Sequence, residues 1–135
     1  MSKSLNRNEE FEQAKLIRWS HKSTVRQLMP ALAYLHHSPN GGKRDASTGA
    51  QMKALGVKPG FPDLILPFTN DAGQCGLAIE MKSEKGRVSD EQADWLAHLL
   101  QHGWECAVCR SAEEARRTIC AYFGIGHDSV PALDA

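Results

Sequence analysis

The sequence has no long apolar run. Nothing in it approaches the ~18 consecutive apolar residues of a membrane-spanning helix, so no membrane association is expected. The first eight residues, Met1 to Asn8, are polar and contain no apolar signal-peptide core, so export by that route is not expected. Charge of one sign is not in excess either. Sixteen Lys and Arg balance sixteen Asp and Glu, which excludes a protein that coats nucleic acid by bulk charge but not one with a local basic groove. Internal repeats, low-complexity segments and a Walker-type phosphate loop are all missing, and with the last goes any expected nucleotide cofactor. Cysteine is sparse. Cys75, Cys106, Cys109 and Cys120 are expected to be reduced thiols. Cys106-x-x-Cys109 has no second pair at zinc-finger spacing, and on a strand a separation of three sends the two side chains to opposite faces. Aromatic residues are few, and Trp19, Trp95, Trp104, Tyr122 and Phe123 are too scattered for a base-stacking platform. Core packing or a subunit interface is their expected role.

What is present fits one domain, since 135 residues match the commonest domain size and 41% hydrophobic residues suffice for a core. The expected division is a flexible segment 1–8, a single domain 9–123 and a loose tail 124–135. Asn8 can cap a helix from Glu9 to about Lys22, followed by a further stretch Ser23 to Met29 that Pro30 interrupts. Ala31 to His37 reads as a weak strand, ended by Ser38-Pro39-Asn40-Gly41-Gly42. Asp45 to Leu55 reads as a short helix with Gly56 past its end. Asp63 to Phe68 and Cys75 to Lys82 read as an antiparallel hairpin turned at Asn70, Asp71 and Gly73. Ser89-x-x-Gln92 and Ser111-x-x-Glu114 have capping-box spacing and open helices to about His102 and Phe123, with a strand at Trp104 to Arg110 between them. The result is a small α/β fold with helices around a mixed sheet of about four strands.

The residues richest in chemistry are Gly60-Phe61-Pro62-Asp63 and Glu80-Met81-Lys82. Alternation on a strand points Glu80 and Lys82 to one side and Leu77, Ile79 and Met81 to the other. Hairpin pairing can bring Asp63 beside Glu80. Two carboxylates and a lysine at a sheet edge suit Mg²⁺ or Mn²⁺, which take hard oxygen ligands and phosphate oxygens. Glu9 can add a third acid from the first helix. The competing reading is an ordinary surface carboxylate–lysine pair.

Asp63 after Pro62, with Glu80-x-Lys82, resembles the PD-(D/E)XK nuclease signature. The wider string is more specific: Glu9, Gln13 and Trp19, then His36 and Pro39-Asn40-Gly41-Gly42, then Leu55 through Asp63, Gly76 through Lys82, and Ser89-x-x-Gln92-x-x-Trp95-Leu96. It resembles the VRR-NUC branch, and the resemblance covers residues 9 to 123. It implies a restriction-endonuclease-like αβββαβ core and Mg²⁺- or Mn²⁺-dependent phosphodiester hydrolysis. Small stand-alone members of phage or bacterial type resemble dimeric Holliday-junction resolvases, so the implied substrate is a four-way DNA junction, the implied state a homodimer, and the implied place the cytoplasm of a bacterial or phage-infected cell. A flap or nicking nuclease, or a catalytically silent DNA-binding or adaptor module, are the alternatives.

Residue by residue, the resemblance implies Glu9, Asp63 and Glu80 as acids, Lys82 as the lysine and Gln92 as a site-facing glutamine, with metal held by Asp63, Glu80 and the carbonyl of Met81. Glu10 and Glu12 leave the first acid open between Glu9 and Glu10. For DNA contact, Asn40, Lys43 and Arg44 form a basic loop with Lys58 beyond it. From Lys43 to Lys58 four cations face one acid, Asp45. Lys85 and Arg87 follow the Glu-x-Lys strand. His98 and His102 lack the Glu and third ligand of a metal motif and read as a helix-surface or interface pair.

Overall fold

The computed structural model describes residues 2–39 and 46–134, with side chains from Asn8 in the first segment and Ser47 in the second. Asn40, Lys43, Arg44 and Asp45, singled out above, lie outside the described residues. The first helix, α1, runs Ser2–Ser20, so Asn8 lies inside it rather than capping it. A break at His21 and Lys22 leads to α2, Ser23–Leu28. Pro30 then opens a 3-10 turn, Pro30–Tyr34, a position where its missing N–H costs nothing. That turn takes up most of the strand expected over 31–37, and only His36–His37 pairs, as β1. Helix α3 follows at Ala46–Ala54.

The sheet is completed by β2 (Leu64–Leu66), β3 (Leu77–Met81) and β4 (Glu105–Cys109), in the order β1-β2-β3-β4. The first three strands are antiparallel and β4 is parallel to β3. A parallel neighbour needs a crossover, and α4, Asp90–Gln101, supplies it. The last helix, α5, is Ala112–Tyr122. The order helix, three strands, helix, strand is the αβββαβ arrangement, with α2 and α3 inserted and α5 appended. No helix among the described residues is long and apolar enough to cross a membrane.

The two faces of the sheet are covered differently. Leu64, Leu66, Leu77, Ile79 and Met81 point into the core with Leu16 and Trp19 of α1 and Ala112, Ala115 and Ile119 of α5. Each large aliphatic side chain there contributes about 1.5–3 kcal/mol of burial. The opposite face lies under α4, in which no residue is fully buried. The cysteines of β4 report the split: Cys106 Sγ donates to Leu96 O of α4, while Cys109 Sγ lies 3.6 Å from Thr118 Oγ1 of α5.

The segment after Gly124, expected to be loose, is packed. Trp19 Nε1 donates to Pro131 O at 2.7 Å, Val130 is buried, and Lys22 pairs with Asp134. Of the two expected capping boxes, Ser89 and Gln92 form both halves. At Ser111 only one half forms, because Glu114 Oε1 accepts from the N–H of Arg110 instead.

Candidate active site

The register Leu64↔Ile79, carried one residue outward, sets Asp63 opposite Glu80. Directly opposed residues of antiparallel strands share a face with their Cβ atoms close together. The N–H of Met81 donates to Asp63 Oδ2 at 2.8 Å. On the other side, Asp63 O accepts the N–H of Ser38 and lies 2.9 Å from His37 Nδ1. Asp63 is therefore held at both its carbonyl and its carboxylate.

The segment leading to Asp63 is fixed by α4. Gly60 has φ +88°, and a Cβ there would lie 2.6 Å from the backbone carbon of Glu91, so both conformation and space demand glycine. Trp95 Nε1 donates to Pro59 O at 3.1 Å, and its ring meets Phe61 edge to face at 4.9 Å. Pro62 is fully buried. The Gly-Phe-Pro that precedes the aspartate thus works as a clamp between the strand and the first turns of α4.

Glu80 is 2% exposed. Its Oε2 accepts from Gln92 Nε2 at 2.9 Å and lies 3.8 Å from Lys82 Nζ. Its Oε1 is buried with no hydrogen-bond partner. Burial, and after it the Asp63 carboxylate, push the Glu80 carboxyl up to about 8, with Lys82 opposing the rise. Gln92 has two tasks, since its Oε1 also accepts the N–H of Ser89 in the capping box.

The first-helix acids separate by environment. Glu12 Oε1 accepts the N–H of Ala112 at the start of α5, and Glu10 is exposed. Glu9 is half-buried and turned to the segment after Lys82, its Oε2 3.6 Å from where a Gly86 Cβ would stand. That turn is gripped by Arg110, whose Nη1 donates to Ser83 O at 2.8 Å and Gly86 O at 2.7 Å. Ser83 Oγ is a second buried polar atom without a partner.

The structure therefore brings Asp63, Glu80, Lys82 and Gln92 together, with Glu9 facing the adjoining turn. Lys85 and Arg87 are exposed on the Ser83–Val88 segment, and Lys58 is exposed beside Trp95. His36 is exposed on the edge strand. Two residues that hold the site escaped the sequence reading, His37 and Arg110, because both act through backbone carbonyls far away in the chain. Trp95 carried a signal, three residues after Gln92 on the same helical face.

Chemically the cluster offers hard oxygen donors: two opposed carboxylates, one with an unpartnered buried oxygen. No three His, Cys, Asp or Glu side chains among the described residues converge as a ligand set. A donor set this small fits a cation that keeps several waters and takes a phosphate oxygen, as Mg²⁺ does.

A family model for the VRR-NUC domain matches residues 7–113 of the chain. A solved structure described as a VRR_NUC domain protein is similar over 88% of this chain and 90% of that one, with a TM-score of 0.70 and 28% sequence identity. No curated protein matches.

Proposed function

The chain belongs to the VRR-NUC domain family and is a nuclease-type domain, and we propose that it is a Mg²⁺- or Mn²⁺-dependent endonuclease of branched DNA, with a resolvase-like action on four-way junctions. The observation that carries the metal is Glu80: a buried carboxyl opposed to Asp63, with one oxygen lacking any partner. Burying such a group is costly unless a proton or a cation balances it. Asp63, Glu80 and the Met81 carbonyl would hold the ion, which when bound supplies charge stabilisation for the phosphate and a water of lowered pKa.

The chain's own groups divide the remaining work. Gln92 fixes the Glu80 carboxylate through Oε2, leaving Oε1 for the site. The Met81 N–H orients Asp63. Lys82, its side chain only 12% exposed, places a cation where charge develops on the scissile phosphate. Glu9 adds an acid at the mouth, beside the turn that Arg110 holds. Neutral overall charge suits recognition of shape over indiscriminate coating. Two coordinated cuts in a junction call for two equivalent sites, so a homodimer goes with this reading.

The test is incubation of the protein with end-labelled four-way junction, 5′ flap, nicked and linear DNA, in Mn²⁺ or EDTA, beside Lys82→Ala. Paired symmetric cuts in the junction, dependent on metal and on Lys82, are expected. Cuts in flaps alone would keep the nuclease and discard the resolvase. Binding without any cutting would leave a silent module.

A further inference from the structure

Two hollows lie side by side next to the cluster, outside it, and share Trp95 and Lys58 as a common wall. One, of about 240 Å³, includes Phe61; the other, of about 380 Å³, includes Asp94 and His98. Trp95 is half-buried and locked in orientation, its indole N–H on Pro59 O and its ring edge to face with Phe61 at 4.9 Å and with His98 at 6.2 Å. A fixed, partly open aromatic surface with a cation beside it is the chemistry that single-stranded nucleic acid uses: a π-face for the base, an ammonium for its phosphate. Asp94 makes the far hollow unfavourable for phosphate and suited to the donor edge of a base.

The groove is joined to the cluster by two short covalent paths. Phe61 is two residues before Asp63, so their Cα atoms lie within about 7 Å. Trp95 is three residues after Gln92, which puts them about 5–6 Å apart on one helix face. A strand with its phosphate at Asp63 and Glu80 therefore reaches the groove within about one nucleotide.

We propose that the Lys58–Phe61–Trp95–His98 groove is a binding site for one unpaired base next to the scissile phosphate, stacked in the Trp95 groove with Lys58 on its phosphate. This rests on the nuclease reading and narrows it, since a branch point interrupts base stacking and lets a base leave its helix at lower cost than within a continuous duplex. It would give Trp95 a role beyond the core packing or interface expected of it. Continuity with the site and the presence of Lys58 favour DNA over a second copy of the chain.

The test needs no mutant at its first step. The cut is mapped on branched DNA, and each nucleotide within three of it is replaced in turn by an abasic one. Dissociation constants are then measured in EDTA with the full chain. One position is expected to weaken binding about 10-fold when its base is removed. Trp95→Ala should abolish that difference, Trp95→Phe should keep most of it, and Lys58→Ala should weaken all the DNAs alike and lower the salt slope by about one. Equal affinity for every abasic substrate, or a difference that survives Trp95→Ala, would overturn the proposal while cutting itself stood. Loss of dimer in sedimentation of Trp95→Ala or Lys58→Ala, with base sensitivity unchanged, would assign the groove to a second copy. Absence of cutting on every substrate would instead remove the nuclease reading beneath it.

Discussion

The two sides of β3 are equally buried and chemically opposed. All five residues Leu77 to Met81 are buried. Leu77, Ile79 and Met81 face a closed apolar core under α1 and α5. Ala78 and Glu80 face α4, which buries none of its own residues fully; there Glu80 meets Gln92 of α4 and Lys82, which lies just past the end of β3 itself. One side is closed by packing, the other is left incomplete at a carboxylate oxygen. Burial alone therefore does not distinguish structure from chemistry on this strand; what distinguishes them is whether the buried group has found its partners.

The comparison is broken most completely at Asp63. Asp63→Ala removes the second carboxylate, and it is expected to abolish Mn²⁺ binding by calorimetry and cutting of DNA together. Full cutting by this variant would refute the assignment. Lys82→Ala should lower the cutting rate by about 10²–10³-fold, the scale for losing one group that stabilises developing charge, while DNA affinity changes only a few-fold. On the opposite side, Ile79→Ala should leave the metal affinity of the folded protein alone and lower stability by about 2–5 kcal/mol in urea unfolding.

These positions also show how far the sequence can be read. Glu80-x-Lys82 and Ser89-x-x-Gln92 are local patterns whose spacing follows directly from strand alternation and helix capping, and the structure places them as the spacing requires. Asp63 was legible because two strands joined by one turn have a simple register. The partners that hold these groups were not. Glu12 caps a helix 100 residues away, and Arg110 binds the carbonyls of Ser83 and Gly86. A side chain bound to a distant backbone atom depends on the finished fold and leaves no periodic trace. The weak strand failed for a different reason, since Pro30 favours a tight helical turn over a strand entry.

Gln92 sharpens the comparison because it joins the two kinds of role in one amide. Gln92→Ala should reduce cutting about 10- to 100-fold, as loss of an orienting partner does at a metal centre. Ser89→Ala is its control. It removes the cap hydroxyl but leaves the Gln92–Glu80 bond, so it should cost about 1 kcal/mol of stability with cutting nearly unchanged. Equal losses of activity in the two variants would show that Gln92 matters only as a cap.

The smallest expected effect is the most diagnostic for Glu80. Its carboxyl sits at about 8 in the folded chain against 4.5 when unperturbed. A raised folded value means that the folded state keeps its proton after the unfolded state has lost it. This contribution is fully present below pH 4.5 and is lost as pH rises to about 8. Glu80→Gln keeps the shape and has no proton to lose. In EDTA the Tm of Glu80→Gln should therefore draw above that of the natural chain between pH 5 and 8, by a few degrees, and the gap should stop widening above pH 8. Added Mn²⁺ should close the gap from the other side, by stabilising the ionised carboxylate of the natural chain alone. Parallel melting curves across that range would mean that Glu80 is already balanced within the fold, and its unpartnered oxygen would no longer point to a cation.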